Sequence, residues 1–419
     1  MFGELCRAEL RLFGNAERYG LEATVVVMRL YDTRRGQVVS FEPGPVVAMY
    51  VCGITPYDAT HVGHAATYIT YDILQRRLVD IGHEVRYVRN ITDVDNDLLK
   101  AAKKRGVHYL DLAFGETARF DDDMAALNIL PPWSEPRATG AISNIRGVIE
   151  SLLQSGHAYL VRGTVYFDTG YVDTGHGGRP PFGSLSQLGT DRMMTLSREW
   201  GEDPGDPAKR HPLDFELWRP SEAGEPSWDA RWGSGRPGWH VECSALALRE
   251  LGTTIDLHGG GIDLLYPHHE CVNAQSEALT GEPFVRHWLH QSMVHYRGHK
   301  MSKSTGNLVF VHELRARVDP RVIRLSLCLH HYRRPWNWTD ELLEDAAGRL
   351  ATWEAASGGT EPSLLDHVRR CLDDDLDVPG AVEAIDAAAA GGVRVDDAAA
   401  LLGIDVTAGP RWPRRSCDG

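Results

Sequence analysis

An α/β fold, in which one parallel sheet is split by a long insertion and followed by a small helical domain, is what this sequence predicts. The prediction rests on three observations. A β-rich run, a helical stretch and a second β-rich run follow one another between residues 46 and 91. The same alternation returns between 254 and 279, after a region of different character from 96 to 230. Beyond about Asp340 only the helical period remains.

Residues 1–27 read as an extension in which Val25, Val26 and Val27 lead to Met28, itself an equally good start. The first half of the split domain spans 28–95. Its run from Val46 to Val51 (VVAMYV) ends in Cys52-Gly53, and a polar turn then leads into a helix. Ile69, Ile73, Leu74 and Leu78 recur there at helical spacing, with Gln75, Arg76 and Arg77 expected outside. A strand from Val85 to Ile91 completes a βαβ unit, which places ligands at the carboxyl edge of a parallel sheet. The insertion, 96–230, is expected to be helical at Met124 to Leu130 and Ile142 to Leu153. It turns Gly- and Pro-rich between Gly170 and Pro212, long enough to suggest a functional loop. The second half, 231–295, holds a strand from Thr254 to Leu257, the run Gly259, Gly260, Gly261 and a helix from His269 to Leu279. A lysine-bearing loop and a junction occupy 296–339. The helical domain, 340–403, shows three amphipathic patterns: Leu342, Leu343, Ala346, Leu350 and Trp353; then Leu364, Leu365, Val368 and Leu372; then Ala381, Val382 and Ile385, starting at Asp377-Val378-Pro379. Residues 404–419 have no period and read as a mobile tail.

The 419 residues suffice for about two to three domains. Hydrophobic residues at 42% and charged residues at 24% exclude a disordered or fibrous chain. No stretch reaches the roughly 18 consecutive apolar residues of a membrane-spanning helix, so no membrane partner is expected. The first residues mix acids, Arg and Gly ahead of any apolar run, the wrong order for a signal peptide, and a cytoplasmic enzyme is expected. The 7 cysteines are odd in number and scattered, which points to reduced thiols or metal ligands and not to a disulfide framework. A net charge of −14 offers no basic footprint for a nucleic-acid backbone, although a local basic groove fits inside an acidic total.

Two motifs carry chemistry. CGITPYDATHVGH, from Cys52 to His64, leaves the first strand and enters the helix. His61 and His64 are one turn apart, so both imidazoles can face an anion held at the positive helix N-terminus. Alone, the motif reads more readily as a polar turn with two exposed histidines. HKMSKSTGN, from His299 to Asn307, sets Lys300 and Lys303 among small polar residues, a mobile cationic loop suited to clamping and releasing a polyphosphate. Alone, it is equally a solvated surface loop. The two together, in this order, leave the bland readings little room.

Those paired signatures are the ones of class I aminoacyl-tRNA synthetases, and from about Met28 to Leu402 the chain resembles the cysteinyl branch of that family. GEPSWDARWGSGRPGWHVECSA and DLHGGGIDLLYPHHE match that branch closely. The resemblance implies a Rossmann-like (HUP) nucleotide-binding domain that activates L-cysteine with ATP, accompanied by Mg2+, as an adenylate. It implies that His61, His64, Lys300 and Lys303 stabilise the charge building on the phosphates, at about 3 to 4 kcal/mol for each such donor. It makes Thr55, Thr92, Trp239 and Asp263 the cysteine pocket, with Asp263 on the substrate ammonium and Trp239 as a wall. Further adenylate contacts are implied at Cys52, Gly53, Ile54, Thr67, Asn90, Ile91, Gly259, Gly260, Gly261, Ile262 and Met301. Read singly, Asp263 is equally a helix cap and Trp239 ordinary core.

Cys52, Cys243 and His268 are soft donors far apart in sequence, and a buried cysteine is commonly inert core. The resemblance places all three at the family's zinc positions, one Zn2+ per chain. There is a physical need for it, because shape alone separates near-isosteres such as serine and cysteine by only about 1 to 3 kcal/mol. Zinc with an open fourth position binds a thiolate and gives serine no equivalent bond. The synthetases place a glutamate four residues after the zinc histidine; this chain has Val272. Three protein ligands and the substrate sulfur still complete a tetrahedron.

TPYDATHVGHAATY, from Thr55 to Tyr68, is similar to the cysteine:glucosaminyl-inositol ligases of mycothiol biosynthesis. Too little chain follows Ser304 for the long helical domain and further module with which a cysteinyl-tRNA synthetase grips the anticodon. The acceptor partner is therefore expected to be the amino sugar and not tRNA. That ligase family shows an ERGGDP signature, where this chain has Glu199-Trp200-Gly201-Glu202-Asp203-Pro204, bulkier at two places. A paralogue acting on another small amine and a truncated synthetase are the neighbouring alternatives. A non-catalytic adenylate-binding relic is the alternative of a different class, and the intact HVGH and KMSKS motifs speak against it.

Overall fold

The computed structural model of the chain describes residues 27–58, 60–170, 180–301 and 306–407. An antiparallel hairpin, β1 (Met28–Asp32) and β2 (Gln37–Phe41), precedes the βαβ unit. That unit is β3 (Val46–Ile54), α1 (Val62–Ile81) and β4 (Glu84–Ile91), with β3 and β4 parallel. The outer face expected for α1 needs one correction. Arg77 is 3% exposed, because its guanidinium is held by Asp80 and by Asp373 of the helical domain.

The insertion, whose sheet runs past the expected boundary at residue 230, comprises α2 (Asn96–Arg105), α3 (Tyr109–Ala126), α4 (Ile142–Gln154), β5 (Ala158–Val161), β6 (Thr164–Phe167), α5 (Thr190–Glu199), β7 (Phe215–Arg219) and β8 (Arg236–Pro237). Strands β5 to β8 form a separate antiparallel sheet. Two expectations change here. The helix expected over Met124–Leu130 is the end of α3, stopped where Asn128 takes a positive φ of 56°. The Gly- and Pro-rich stretch contains α5, which buries Met193 in the core; residues 171–179 of that stretch lie outside the described residues.

The chain returns through α6 (Trp239–Leu251), β9 (Ile255–Gly261), α7 (Glu270–Thr280) and β10 (Val285–Gln291). All four strands of the central sheet are parallel, in the order β10-β9-β3-β4. Successive connections leave β3 in opposite directions, so a crevice opens at the carboxyl ends of β3 and β9. The glycine run expected after the strand is its last three residues. A Cβ at Gly259 would lie 2.0 Å from the Tyr71 hydroxyl of α1, so the sheet closes on that helix only with glycine there.

A small sheet of β11 (Val294–Tyr296), β12 (His299–Lys300) and β13 (Trp336–Trp338) joins the domains, with α8 (Val311–Arg315) and α9 (Pro320–Cys328) between β12 and β13. The predicted helices follow as α10 (Glu341–Ala355), α11 (Pro362–Asp373) and α12 (Val378–Ala390), then α13 (Asp396–Leu401). Asp377 caps α12 by accepting from the Gly380 N–H at 3.1 Å. Arg324 of α9 pins this domain to the sheet side, donating to the Leu402 and Leu127 carbonyls and pairing with Asp72 of α1. The predicted tail is corrected at its start, since Ile404 is fully buried and extends the helical core. Residues 408–419 of that tail, and residues 1–26 of the N-terminal extension, lie outside the described residues. Among the described residues no helix is long and apolar enough to cross a membrane.

Candidate active site

Strands β3, β4 and β9 release their chains at one edge, so three distant segments meet there. β3 delivers Cys52, Gly53 and Ile54. A Cβ at Gly53 would lie 1.6 Å from the Asn90 carbonyl oxygen of β4, so this approach requires glycine. The Gly53 N–H donates to Asn90 Oδ1 at 2.9 Å, and Asn90 Nδ2 donates to Thr92 Oγ1 at 3.0 Å, which locks the two strand ends together. α6 opens with Trp239 and carries Cys243 one turn on, while His268 lies in the turn after β9.

Ligand atoms of Cys52, Cys243 and His268, all buried, lie within 4.8 Å of one another. His268 Nε2 is 3.2 Å from Cys243 Sγ. The hydrogen bond from Cys52, and then the neighbouring His268, hold the Cys243 thiol well below its ordinary range, while burial pushes Cys52 up. Val272 is fully buried in the same cluster and offers no donor. Two sulfurs, one of them favoured as thiolate, and one imidazole, all three on the cavity wall, are a donor set that would suit a zinc ion.

The imidazoles behind this corner escaped the sequence reasoning. His240 Nδ1 is 2.9 Å from His268 Nδ1, and His269 Nε2 is 3.2 Å from Cys52 Sγ. His269 Nδ1 is 2.7 Å from His290 Nε2, whose other ring nitrogen is 2.8 Å from Thr33 Oγ1. His258 stacks on Tyr50 and forms with Cys52 and His269 a second close triad. Burial lowers the pKa of His240, His258 and His269 and brings His290 to about 3, so all four are neutral near pH 7. The available signal was adjacency: His240 follows Trp239, and His269 follows His268.

The other end of the crevice begins at α1. The rings of His61 and His64 stack with centroids 3.8 Å apart, and His61 Nδ1 accepts from the Gly63 N–H at 3.1 Å. The Val62 N–H donates to the Val309 carbonyl and the Val311 N–H to the Thr60 carbonyl, both at 2.9 Å. The chain downstream of the lysine loop is thereby tied to the start of the helix. Lys300 Nζ donates to Asp263 Oδ2 at 3.1 Å, so the carboxylate expected on the substrate ammonium holds the lysine expected on the phosphates. Lys303 lies outside the described residues.

One cavity of about 1130 Å³ joins the two ends. Its walls include Cys52, Gly53, Ile54, Thr55, His61, His64, Thr67, Asn90, Thr92, Trp239, Cys243, Gly261, Asp263, His268, Lys300 and Met301. Trp239 stacks on His268 at 4.2 Å and tilts against Trp200 at 5.4 Å. Four expected contacts stand off the wall. Ile91 is core, Gly259 is buried under Tyr71, a Cβ at Gly260 would meet Leu264 and His269, and Ile262 sits in the short turn beyond Gly261. Residues of α2 that the sequence reasoning missed, among them Lys100 and Lys104, also line the cavity. Of the two bulky positions between Glu199 and Pro204, Trp200 is on the wall; Glu202 is absent from it and pairs with Lys209 at 2.8 Å.

Residues 39–348 match the family described as the tRNA synthetases class I (C) catalytic domain. The L-cysteine:1D-myo-inositol 2-amino-2-deoxy-alpha-D-glucopyranoside ligase of Saccharomonospora viridis is 50% identical over 366 residues, 86% of this chain and 88% of that protein. The enzyme of the same name from Mycolicibacterium smegmatis is 48% identical over 365 residues, with the same shares covered, 86% and 88%. Among solved structures, Mycobacterium tuberculosis methionyl-tRNA synthetase in complex with methionyl-adenylate is similar with a TM-score of 0.61 at 18% identity, over 86% of this chain and 88% of that one. Thermus thermophilus arginyl-tRNA synthetase gives 0.52 at 14%, over 87% and 82%. These two likenesses concern the fold alone.

Proposed function

The chain belongs to the class I (C) tRNA synthetase catalytic-domain family, and from that premise we propose an ATP-dependent ligase of mycothiol biosynthesis. It activates L-cysteine as cysteinyl adenylate and joins it to the amine of 1D-myo-inositol 2-amino-2-deoxy-alpha-D-glucopyranoside, the reaction for which its relatives are named. The observation that carries this reading is the single cavity with two thiols and an imidazole converging at one end and His61, His64 and Lys300 at the other.

Cysteine enters with its side chain toward Cys52, Cys243 and His268, which would hold the zinc ion. When bound there, zinc supplies an open position that a thiolate fills and a serine hydroxyl does not. Asp263 receives the ammonium and Trp239 closes the pocket. The arriving ammonium competes for the carboxylate that Lys300 occupies, so substrate binding frees Lys300 for the phosphates. A cysteine carboxylate oxygen then attacks the α-phosphorus of ATP, the bond to the pyrophosphate oxygen breaks, and pyrophosphate leaves with Mg2+. His61, His64, Lys300 and Lys303 meet the charge that develops.

In the second half-reaction the acceptor nitrogen attacks the carbonyl carbon of the adenylate. The bond from that carbon to the phosphate oxygen breaks, AMP leaves, and the nitrogen loses a proton as the amide forms. A glucosamine amine is weakly basic enough to be partly neutral near pH 7, so one modest base suffices, either a histidine of HVGH or Asp263. Transfer to a different small amine is a second reading, favoured by Trp200 on the cavity wall. The test forms the adenylate from labelled cysteine and offers glucosaminyl-inositol to one half and cysteine tRNA to the other. The label is expected on the amino sugar. Efficient transfer to tRNA alone would overturn the ligase in favour of a synthetase.

A further inference from the structure

We propose that the polyol half of the acceptor is held in a second chamber that adjoins the adenylate cavity between α2 and the loop of residues 222–228. The proposal rests on the ligase reading above, and it names the place that distinguishes an inositol-bearing amine from a bare amino sugar. A chamber of about 900 Å³ lies there, and Lys100 and Gly201 line both it and the adenylate cavity. Gly201 has a positive φ of 88°, a conformation that favours glycine, and it leaves no side chain at the junction.

The chamber's polar groups are held by contacts within the chain. Arg236, with its side chain 3% exposed, grips Glu225 through Nε at 2.8 Å and a second nitrogen at 3.1 Å, and also reaches Asn96 Oδ1. The loop is stapled at both ends. The Glu222 N–H donates to Glu225 Oε2 at 3.0 Å, Ser221 Oγ donates to the Pro226 carbonyl at 2.6 Å, and Trp228 pairs with Gly235 through both backbone groups. Arg219 and the half-buried Trp228 complete the wall. A cyclitol presents hydroxyls around its rim and C–H bonds on its faces. Guanidinium, carboxylate and amide groups match the rim, and a flat indole matches a face. The adenylate cavity must already hold a nucleotide and a cysteine, so the remainder of a two-ring acceptor has to extend out of it, and the Gly201 junction is where it opens.

The test compares glucosaminyl-inositol with glucosamine as acceptors, with cysteine-dependent ATP–pyrophosphate exchange as the reference for the first half-reaction. Ala223 is an exposed loop residue on the chamber wall and takes no part in the adenylate cavity. Ala223→Trp is expected to leave exchange unchanged and to lower kcat/KM for glucosaminyl-inositol at least roughly tenfold, while glucosamine changes by less than about twofold. Ser227→Trp, also exposed and on the same wall, is the second variant should the first fold poorly. Equal effects on both acceptors, or an unaltered preference in both well-folded variants, would overturn the chamber while leaving the ligase intact. A wild-type enzyme that passes cysteine to neither acceptor would overturn the ligase reading and the chamber with it.

Discussion

The two ends of the cavity are built on opposite principles. At the cysteine end, Cys52, Cys243 and His268 are 5%, 1% and 1% exposed, each on a strand end, a helix or a tight turn, with neutral histidines packed behind them. At the phosphate end, the Lys300 side chain is 51% exposed, on a two-residue strand, and rests on Asp263. On the proposed reaction, the difference follows from what each end must do. Telling a thiol from a hydroxyl requires donors that do not adjust, because an adaptable pocket would close on serine as readily. Admitting ATP and releasing pyrophosphate requires groups that exchange partners, and an exposed ion pair is weak enough to exchange.

The largest effect should come from breaking the rigid end. Cys243→Ala is expected to abolish stoichiometric zinc and to depress cysteine activation by several kcal/mol, roughly a hundredfold or more, with ATP affinity kept. Metal analysis of wild-type protein that finds no zinc, alongside intact activation, would remove the basis of the comparison. The exchanging end is tested next. Lys300→Ala should slow single-turnover adenylate formation about a hundredfold while leaving cysteine affinity equal or tighter, because Asp263 no longer has an internal partner. Weaker cysteine binding in that variant would show that Lys300 supports Asp263 and does not compete for it.

This asymmetry also governs what could be read from the sequence. The βαβ unit, the split sheet and the three helices after Asp340 were legible because they are local patterns, whereas wall residues such as Thr55, Thr92, Trp239 and Asp263 came from the family resemblance and much of the rest of the wall was not legible. Arg77 was misassigned because residue type marks it as exposed, and its partner Asp373 is brought up only by the tertiary fold. The full extent of α3 was missed for a related reason: Glu116 and Asp123 interrupt its apolar period, yet both are buried. The histidines behind the corner of Cys52, Cys243 and His268 come from α6, β9, the turn after it and β10, and nothing local reveals that these meet. The family resemblance puts Lys300 on the phosphates, and only the geometry shows its pairing with Asp263.

A smaller effect separates the proposed zinc ligands from their supports. His240 touches His268 through the ring nitrogen that does not face Cys243, the position from which an outer partner orients a metal-binding imidazole. His240→Asn is expected to weaken zinc binding about 10- to 100-fold, measured by competition with a chelator, with activation recovered by added zinc. Loss of activation that zinc does not restore would make His240 part of the cysteine pocket itself.

The smallest effect lies behind the phosphate end and is best read as a pH dependence. Asp123 of α3 is buried, 2.9 Å from Arg315 of α8, the helix that follows the lysine loop. Burial raises its carboxyl to about 6, against the pull of Arg315 and His312. Between the ordinary carboxylate value near 4 and about 6, the folded chain therefore keeps a proton that the unfolded chain has released. Stability from this group is present below that window and is lost as pH rises through it. Asp123→Asn carries no ionisable group and escapes the loss. The melting temperature of the variant relative to wild type should thus rise between pH 4 and 7 and level off above. Discounted for partial solvent screening, the change is on the order of 1 kcal/mol, or roughly 1 °C for a chain of this size. ATP binding should change little, because the backbone bond from Val311 to Thr60 still ties the lysine loop to α1. A melting difference that stays flat across pH 4 to 7 would mean that Asp123 ionises as an ordinary surface carboxylate, and the phosphate end would then have no buried titrating group behind it.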